Sequence, residues 1–142
     1  MFDLALIRPA LLVNLEELCE LEGLQSSPYM LSNVMPPVIQ ITGVSSITYD
    51  VALQRGGDEN TVVVQALIST ASDIGGQMKL DRLLMSSGPS SVKQALEIDP
   101  TLGGIVDYLR VVRNSGHQLL TRPGEKIVHL GAQWFVQVET TA

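Results

Sequence analysis

Ile47-Thr48-Tyr49-Asp50-Val51-Ala52-Leu53-Gln54 and Thr61-Val62-Val63-Val64-Gln65-Ala66-Leu67-Ile68, joined by Arg55-Gly56-Gly57-Asp58-Glu59-Asn60, decide the fold class. The first run alternates polar and apolar residues, and the second is dense in β-branched side chains that suit a pleated, half-buried surface. The connector is polar and rich in glycine, the composition of a hairpin tip. Two long antiparallel strands therefore form the centre of the molecule, and residues 38–41 read as a shorter strand ahead of them.

Upstream, residues 3–22 read as a helix. Leu11, Leu12, Leu15, Leu18 and Cys19 recur at helical spacing, with Glu16, Glu17, Glu20 and Glu22 on the other side. Pro9 suits a first turn or a kink, and Gly23 supplies a C-terminal stop. Residues 24–37, with Pro28, Pro36 and Pro37, read as a proline-rich connector or an arm reaching another subunit.

Downstream, Ser72 or Asp73 can cap a helix that runs to about Met85, its first turn weakened by Gly75-Gly76. Gly88-Pro89 is a hard stop, and Ser90 or Ser91 can cap a short helix over 90–98. Asp99-Pro100 closes that helix, because a residue before proline is pushed out of the α region. Residues 105–113 read as a strand, and Ser115-Gly116 as a turn. The chain finishes with Lys126-Ile127-Val128-His129-Leu130 and Gln133-Trp134-Phe135-Val136-Gln137-Val138-Glu139, joined through Gly131 into one long strand with a bulge or bend. The expectation is a single α+β domain over 1–142: a mostly antiparallel β-sheet with an N-terminal helix and two central helices packed on it.

Composition narrows the function. The 142 residues are 45% hydrophobic but only 4% aromatic, so Val, Ile and Leu must build most of one core. A mean hydropathy of +0.23 fits either a Val-rich core alone or apolar surface that other subunits bury. A net charge of −6, with the nine basic residues scattered, argues against a general nucleic-acid binder. No apolar run is long enough to span a bilayer, and the N-terminus lacks the basic start of a secretory signal.

Catalytic patterns are missing. Cys19 is the one cysteine, sits on the expected helix and reads as a buried thiol. His117 and His129 have no spacing that suggests further metal ligands, and they read as a turn residue and a surface or interface residue. Gly75-Gly76 lacks the glycine order of a phosphate-binding turn, and the serines around Gly88 form no nucleophile elbow. Asp81, Glu97, Asp99 and Asp107 would pair as acid and base only by accident of folding. No cofactor is implied.

In order along the chain stand the strand pair around Arg55-Gly56-Gly57-Asp58-Glu59, then Ala71-Ser72-Asp73, then Gly88-Pro89-Ser90-Ser91-Val92-Lys93-Gln94-Ala95-Leu96-Glu97. Asp99-Pro100-Thr101-Leu102-Gly103-Gly104, Leu109-Arg110-Val111 and Leu130-Gly131-Ala132 follow. Over roughly residues 45–140 this series resembles the tail terminator proteins of long-tailed bacteriophages, especially those infecting actinobacteria. The block 88–104 is the most specific part. The N-terminal helix and the proline-rich arm match in general character only, and His117 stands where an aromatic residue is often found.

The resemblance implies a structural virion protein and not an enzyme: a homo-hexameric ring in the neck region, assembled in the host cytoplasm. Such a ring caps the tail tube, stops its polymerisation and joins the tail to the head. Its partners would be other copies of itself, the tail tube protein and a head-to-tail stopper or connector protein. Genomic DNA would pass through an acidic lumen without specific binding, and no membrane is involved. Edge strands or the arm could supply ring contacts by adding a strand across subunits. Candidate subunit or ring contacts are Arg55, Asp58, Glu59, Pro89, Lys93, Pro100 and Trp134. A head-to-tail stopper or completion protein is the alternative, and a small-ligand-binding α+β domain a more distant one.

Overall fold

The β-branched run at the centre of the chain does pair on both sides, and the rest of the fold is arranged around it. The structure is a computed structural model, and it describes residues 3–30, 36–49, 58–70, 73–121 and 128–140. In chain order these form α1 (Leu4–Glu22), β1 (Gln25–Ser27), β2 (Val38–Thr48), β3 (Asp58–Thr70), α2 (Ile74–Leu83) and α3 (Val92–Leu96). A 3-10 turn (Leu102–Gly104), β4 (Tyr108–Asn114), β5 (Gln118–Thr121) and β6 (Val128–Thr140) follow. The six strands make one sheet in the order β1-β2-β3-β6-β4, with β5 also beside β6. β3 pairs with β6 along most of its length, and β4 and β5 lie end to end on the other edge of β6. Every described pairing is antiparallel except that of the three-residue β1 with β2. This is the expected α+β architecture.

Period-two alternation divides the sheet into two faces. Ile39 and Ile41, Val62, Val64 and Ala66, and Ala132, Trp134, Val136 and Val138 project into the core. Ile7, Leu11, Leu15 and Leu18 of α1, Leu80 and Leu83 of α2, and Val92 and Leu96 of α3 meet them there. The described helices thus cover one face, and Gln40, Gln65, Gln133, Phe135 and Gln137 alternate onto the other.

Helix ends follow local chemistry. Asp3 caps α1 by accepting from the Ala5 N–H at 3.0 Å, and Gly23 ends it in the left-handed conformation with φ 68°. Pro9 lies inside α1 and not in its first turn. Gly76 is needed for a different reason: a Cβ there would come within 1.9 Å of Ser69 Oγ, so glycine lets α2 approach β3 closely. Gly131 is similar, since its Cβ would meet the Ala66 carbonyl oxygen at 2.1 Å. The expected bulge near Gly131 falls on the partner strand, where the register shifts between Leu67 and Ser69.

Several expectations need correction. The strand over 38–41 and the start of the run at 47 belong to one continuous strand, β2, because register shifts at Ile41/Gly43 and Val44/Ser46 absorb the turn-forming residues between them. Asp58 and Glu59 belong to β3 and not to a hairpin tip, since Glu59 pairs with Thr48 on one side and Glu139 on the other. The tip residues 55–57 and the part of the first strand read over 50–54 lie outside the described residues, as does Ser72. β1 falls within the segment read as irregular, and β5 follows the Ser115-Gly116 turn; both are too short to show a period. The strand read over 105–113 starts only at Tyr108, because the 3-10 turn takes up the chain before it. His129 is 5% exposed, so it is a buried residue and not a surface one.

Candidate functional site

The stretch 88–104 folds as a clamped connector between α2 and β4. Ser91 caps α3: its hydroxyl accepts from the Gln94 N–H at 3.1 Å and donates to the Met85 carbonyl at 2.5 Å. The Gln94 side chain returns to accept the Gly88 N–H at 2.9 Å, which closes the Gly88-Pro89 corner. The helix is five residues long, shorter than the 90–98 span expected, and Ser91 is the residue that caps it.

Asp99 organises the exit. Its carboxylate accepts from the Thr101 N–H at 3.3 Å and from the Gly103 N–H at 2.9 Å. Leu102 sits at φ 50°, a strained conformation for a residue with a side chain, and its 4% exposure shows what holds it there: the side chain is drawn into the core. Gly103 and Gly104 continue with positive φ at no steric cost.

Long-range contacts then fix the whole connector. Asn14 of α1 donates its side-chain amide to the carbonyls of Leu96 at 3.0 Å and Asp99 at 3.3 Å. On the other side the Pro100 carbonyl accepts the Leu109 N–H at 2.9 Å, and the Glu97 carboxylate accepts the Val111 N–H at 3.2 Å. Connector residues therefore occupy two outward-pointing amides of β4, an edge strand that would otherwise offer them to another chain. A second anchor is Glu22, whose side chain is 7% exposed. It pairs with Arg82 at 3.0 Å and accepts from the Ser90 hydroxyl at 3.0 Å. The Arg82 hydrogen bond holds the Glu22 carboxyl below its ordinary range, against the opposing effect of partial burial.

Of the candidate contact residues, the connector brings together Pro89, Lys93 and Pro100. Pro89 is exposed and lines a groove of about 300 Å³ between α1 and α3. Lys93 forms an i,i+4 ion pair with Glu97, the same residue that holds β4. Pro100 is half-buried and acts through its carbonyl. Asp58 and Glu59 lie elsewhere, half-buried in β3, where Glu59 accepts a hydrogen bond from Gln137. Arg55 lies outside the described residues. Trp134 requires correction: at 1% exposure it fills the core, because it shares a face with Val136 and Val138, and it reaches only the floor of a small cleft beside Lys93.

The positioning residues that sequence reasoning missed are Asn14 and Glu97. Asn14 carries no signal beyond being the one amide on a helix of Leu and Glu. Glu97 was legible as part of the connector but not as a ligand for a strand amide.

Burial pushes the Cys19 thiol up to about 11, so it is a poor nucleophile. Among the described residues no three His, Cys, Asp or Glu side chains are grouped to hold a metal ion. His117 Nε2 lies 2.7 Å from Asp81 Oδ1, an exposed contact that ties the β4–β5 turn to α2. No described helix is long and apolar enough to cross a membrane. Among the described residues fifteen large apolar side chains are exposed, including Val13, Leu21, Ile74, Met78, Ile98 and Tyr108. No protein-family model matches the chain, and no characterised protein matches it.

Proposed function

We propose that the chain is a structural subunit of a bacteriophage neck, a tail terminator that assembles into a ring on the end of the tail tube. The observation that carries this reading is the clamped connector 88–104. It is the most specific part of the resemblance, and its side chains are spent on holding a fixed shape: Ser91, Gln94, Asp99 and Glu97 all bond to backbone. A segment so constrained is suited to orienting a surface. The exposed apolar side chains beside it supply area for subunit contacts.

Two measurements test the proposal. The purified chain should sediment as a closed oligomer, alone or on tail tubes. Virions made without it should carry overlong tails. A strict monomer that never joins tail tubes would overturn the proposal, and normal-length tails detached from heads would move the protein to a stopper role.

A further inference from the structure

Two exposed surfaces of this subunit complement each other, and they lie on opposite sides of it. One is the groove between α1 and α3. Leu21, Pro89 and Ile98 line it, with Leu21 59% and Ile98 68% exposed. Glu17 stands on its rim, exposed and, among the described residues, without an ion-pair partner. Glu16 and Glu20 extend the same exposed acidic ridge.

The other surface is the outer face of β4. Leu109 and Val111 enter the core, so Tyr108 and Arg110 alternate onto the face turned away from the helices. Tyr108 is 50% exposed. Arg110 is the one described cation that is not already engaged. Arg8 donates to the carbonyls of Pro28 and Ile41, Lys79 to that of Glu22, and Arg82 and Lys93 pair with carboxylates. Arg113 lies 3.8 Å over the Phe135 ring. Glu139, opposite Tyr108 in the register, forms no ion pair with Arg110.

We propose that these surfaces meet between copies of this chain, with Tyr108 of one subunit seated in the α1–α3 groove of the next and Arg110 paired with Glu17. An aromatic anchor beside an arginine is the pairing that dominates protein interfaces, and the groove offers apolar walls with a carboxylate at the rim. The occupant is a second copy because the free cation and the free carboxylate are carried by one chain, each next to exposed apolar surface. Because the surfaces face opposite ways, a two-fold axis cannot satisfy both at once. The contact is head-to-tail, and it closes into a ring or runs on as an open chain. This deepens the ring reading and rests on it.

Charge reversal tests it on the full-length protein by sedimentation velocity and native mass spectrometry. Both residues are exposed, so circular dichroism should report an unchanged fold for Glu17→Lys and Arg110→Glu. Each variant alone sets like charges together and should weaken self-association at least tenfold. An equimolar mixture should recover it, because alternating subunits restore Lys–Glu at one contact and Glu–Arg at the next, and any closed ring it forms should have an even number of subunits. The double variant should assemble alone. Single variants that assemble like the wild type, or a mixture that stays dissociated, would overturn this contact while leaving the ring reading intact. Variants that assemble normally but no longer cap tail tubes would assign the groove to the tube subunit and also overturn it. A wild-type chain that is monomeric at every concentration and never joins tail tubes would overturn both.

Discussion

Replacing Asn14 by alanine should loosen the connector without touching any apolar contact. The amide is half-buried and donates to two carbonyls, of Leu96 and Asp99, which close α3 and open the turn that follows. A net hydrogen bond contributes about 0.5–1.5 kcal/mol, and carbonyls left without a donor in a partly buried site add a desolvation penalty. The expected loss is about 1–3 kcal/mol, which for a chain of this length is roughly 3–10 °C in melting temperature. The single tryptophan, Trp134, is buried, so its fluorescence should report the transition in urea. Exposed neighbours on the same helix supply the control: Val13→Ala should stay within about 0.5 kcal/mol.

The structure also says where the loss should appear. Pro100 and Glu97 cover the Leu109 and Val111 amides only while the connector is held. In Asn14→Ala these two amides should exchange with solvent faster, whereas those of β3, paired on both sides, should change only as far as global stability does. Asn14→Asp sharpens the comparison. An ionised carboxylate would face two carbonyl oxygens and should destabilise more than alanine at pH 7, with partial recovery in acid, where the protonated group can donate one bond. An Asn14→Ala protein with unchanged stability and unchanged protection at Leu109 and Val111 would refute the claim that α1 holds the connector.

Two other outcomes follow from close approach and burial. Gly131→Ala places a Cβ 2.1 Å from the Ala66 carbonyl oxygen, so β3 and β6 must shift apart, and calorimetry should show a loss of at least about 1–3 kcal/mol. Cys19 should resist a thiol reagent at pH 8 and react fully once the chain is unfolded. Its folded pKa of about 11 lies above its ordinary 9.0, so its contribution to stability is whole below pH 9 and is lost as pH rises from there through 11. A Cys19→Ser protein with the same alkaline stability profile would contradict this.

Much of the architecture is legible in the sequence because it rests on local periodicity. The core stripe of α1 and the β-branched run of β3 announce themselves, and Ser91 and Asp99 are placed by turn and cap chemistry. What failed depended on partners far along the chain. Asp58 and Glu59 look like loop residues until β2 and β6 pair with them on both sides. Gly43, Ser45 and Ser46 look like a break until register shifts absorb them. Trp134 was misplaced although the signal was present: alternation through Trp134, Val136 and Val138 marks the core face, and Gln133, Phe135 and Gln137 the other. Asn14 and Glu97 had no such signal, since each acts on one backbone group of a different element.

The management of the sheet edges bears on how copies could associate. Ring growth by adding a strand at β4 would need its outward amides, and Leu109 and Val111 already give theirs to Pro100 and Glu97. At the opposite edge β1 covers only Val38 to Gln40 of β2, and Arg8 takes the Ile41 carbonyl at 2.7 Å. Beyond that, β2 carries two register shifts within a few residues, a disruption of the regular ladder that blunts edges against pairing. Strand addition, expected from the sequence as a route to assembly, is therefore disfavoured at Leu109 and Val111 of β4 and along the shifted part of β2. In the proposed ring the faces offer another route, since apolar side chains stand exposed on α1, α2, the connector and β4. On this account the connector has two effects from one set of bonds: it closes β4 to unregulated sheet growth, and it presents Pro89 and Ile98 as a wall of the α1–α3 groove.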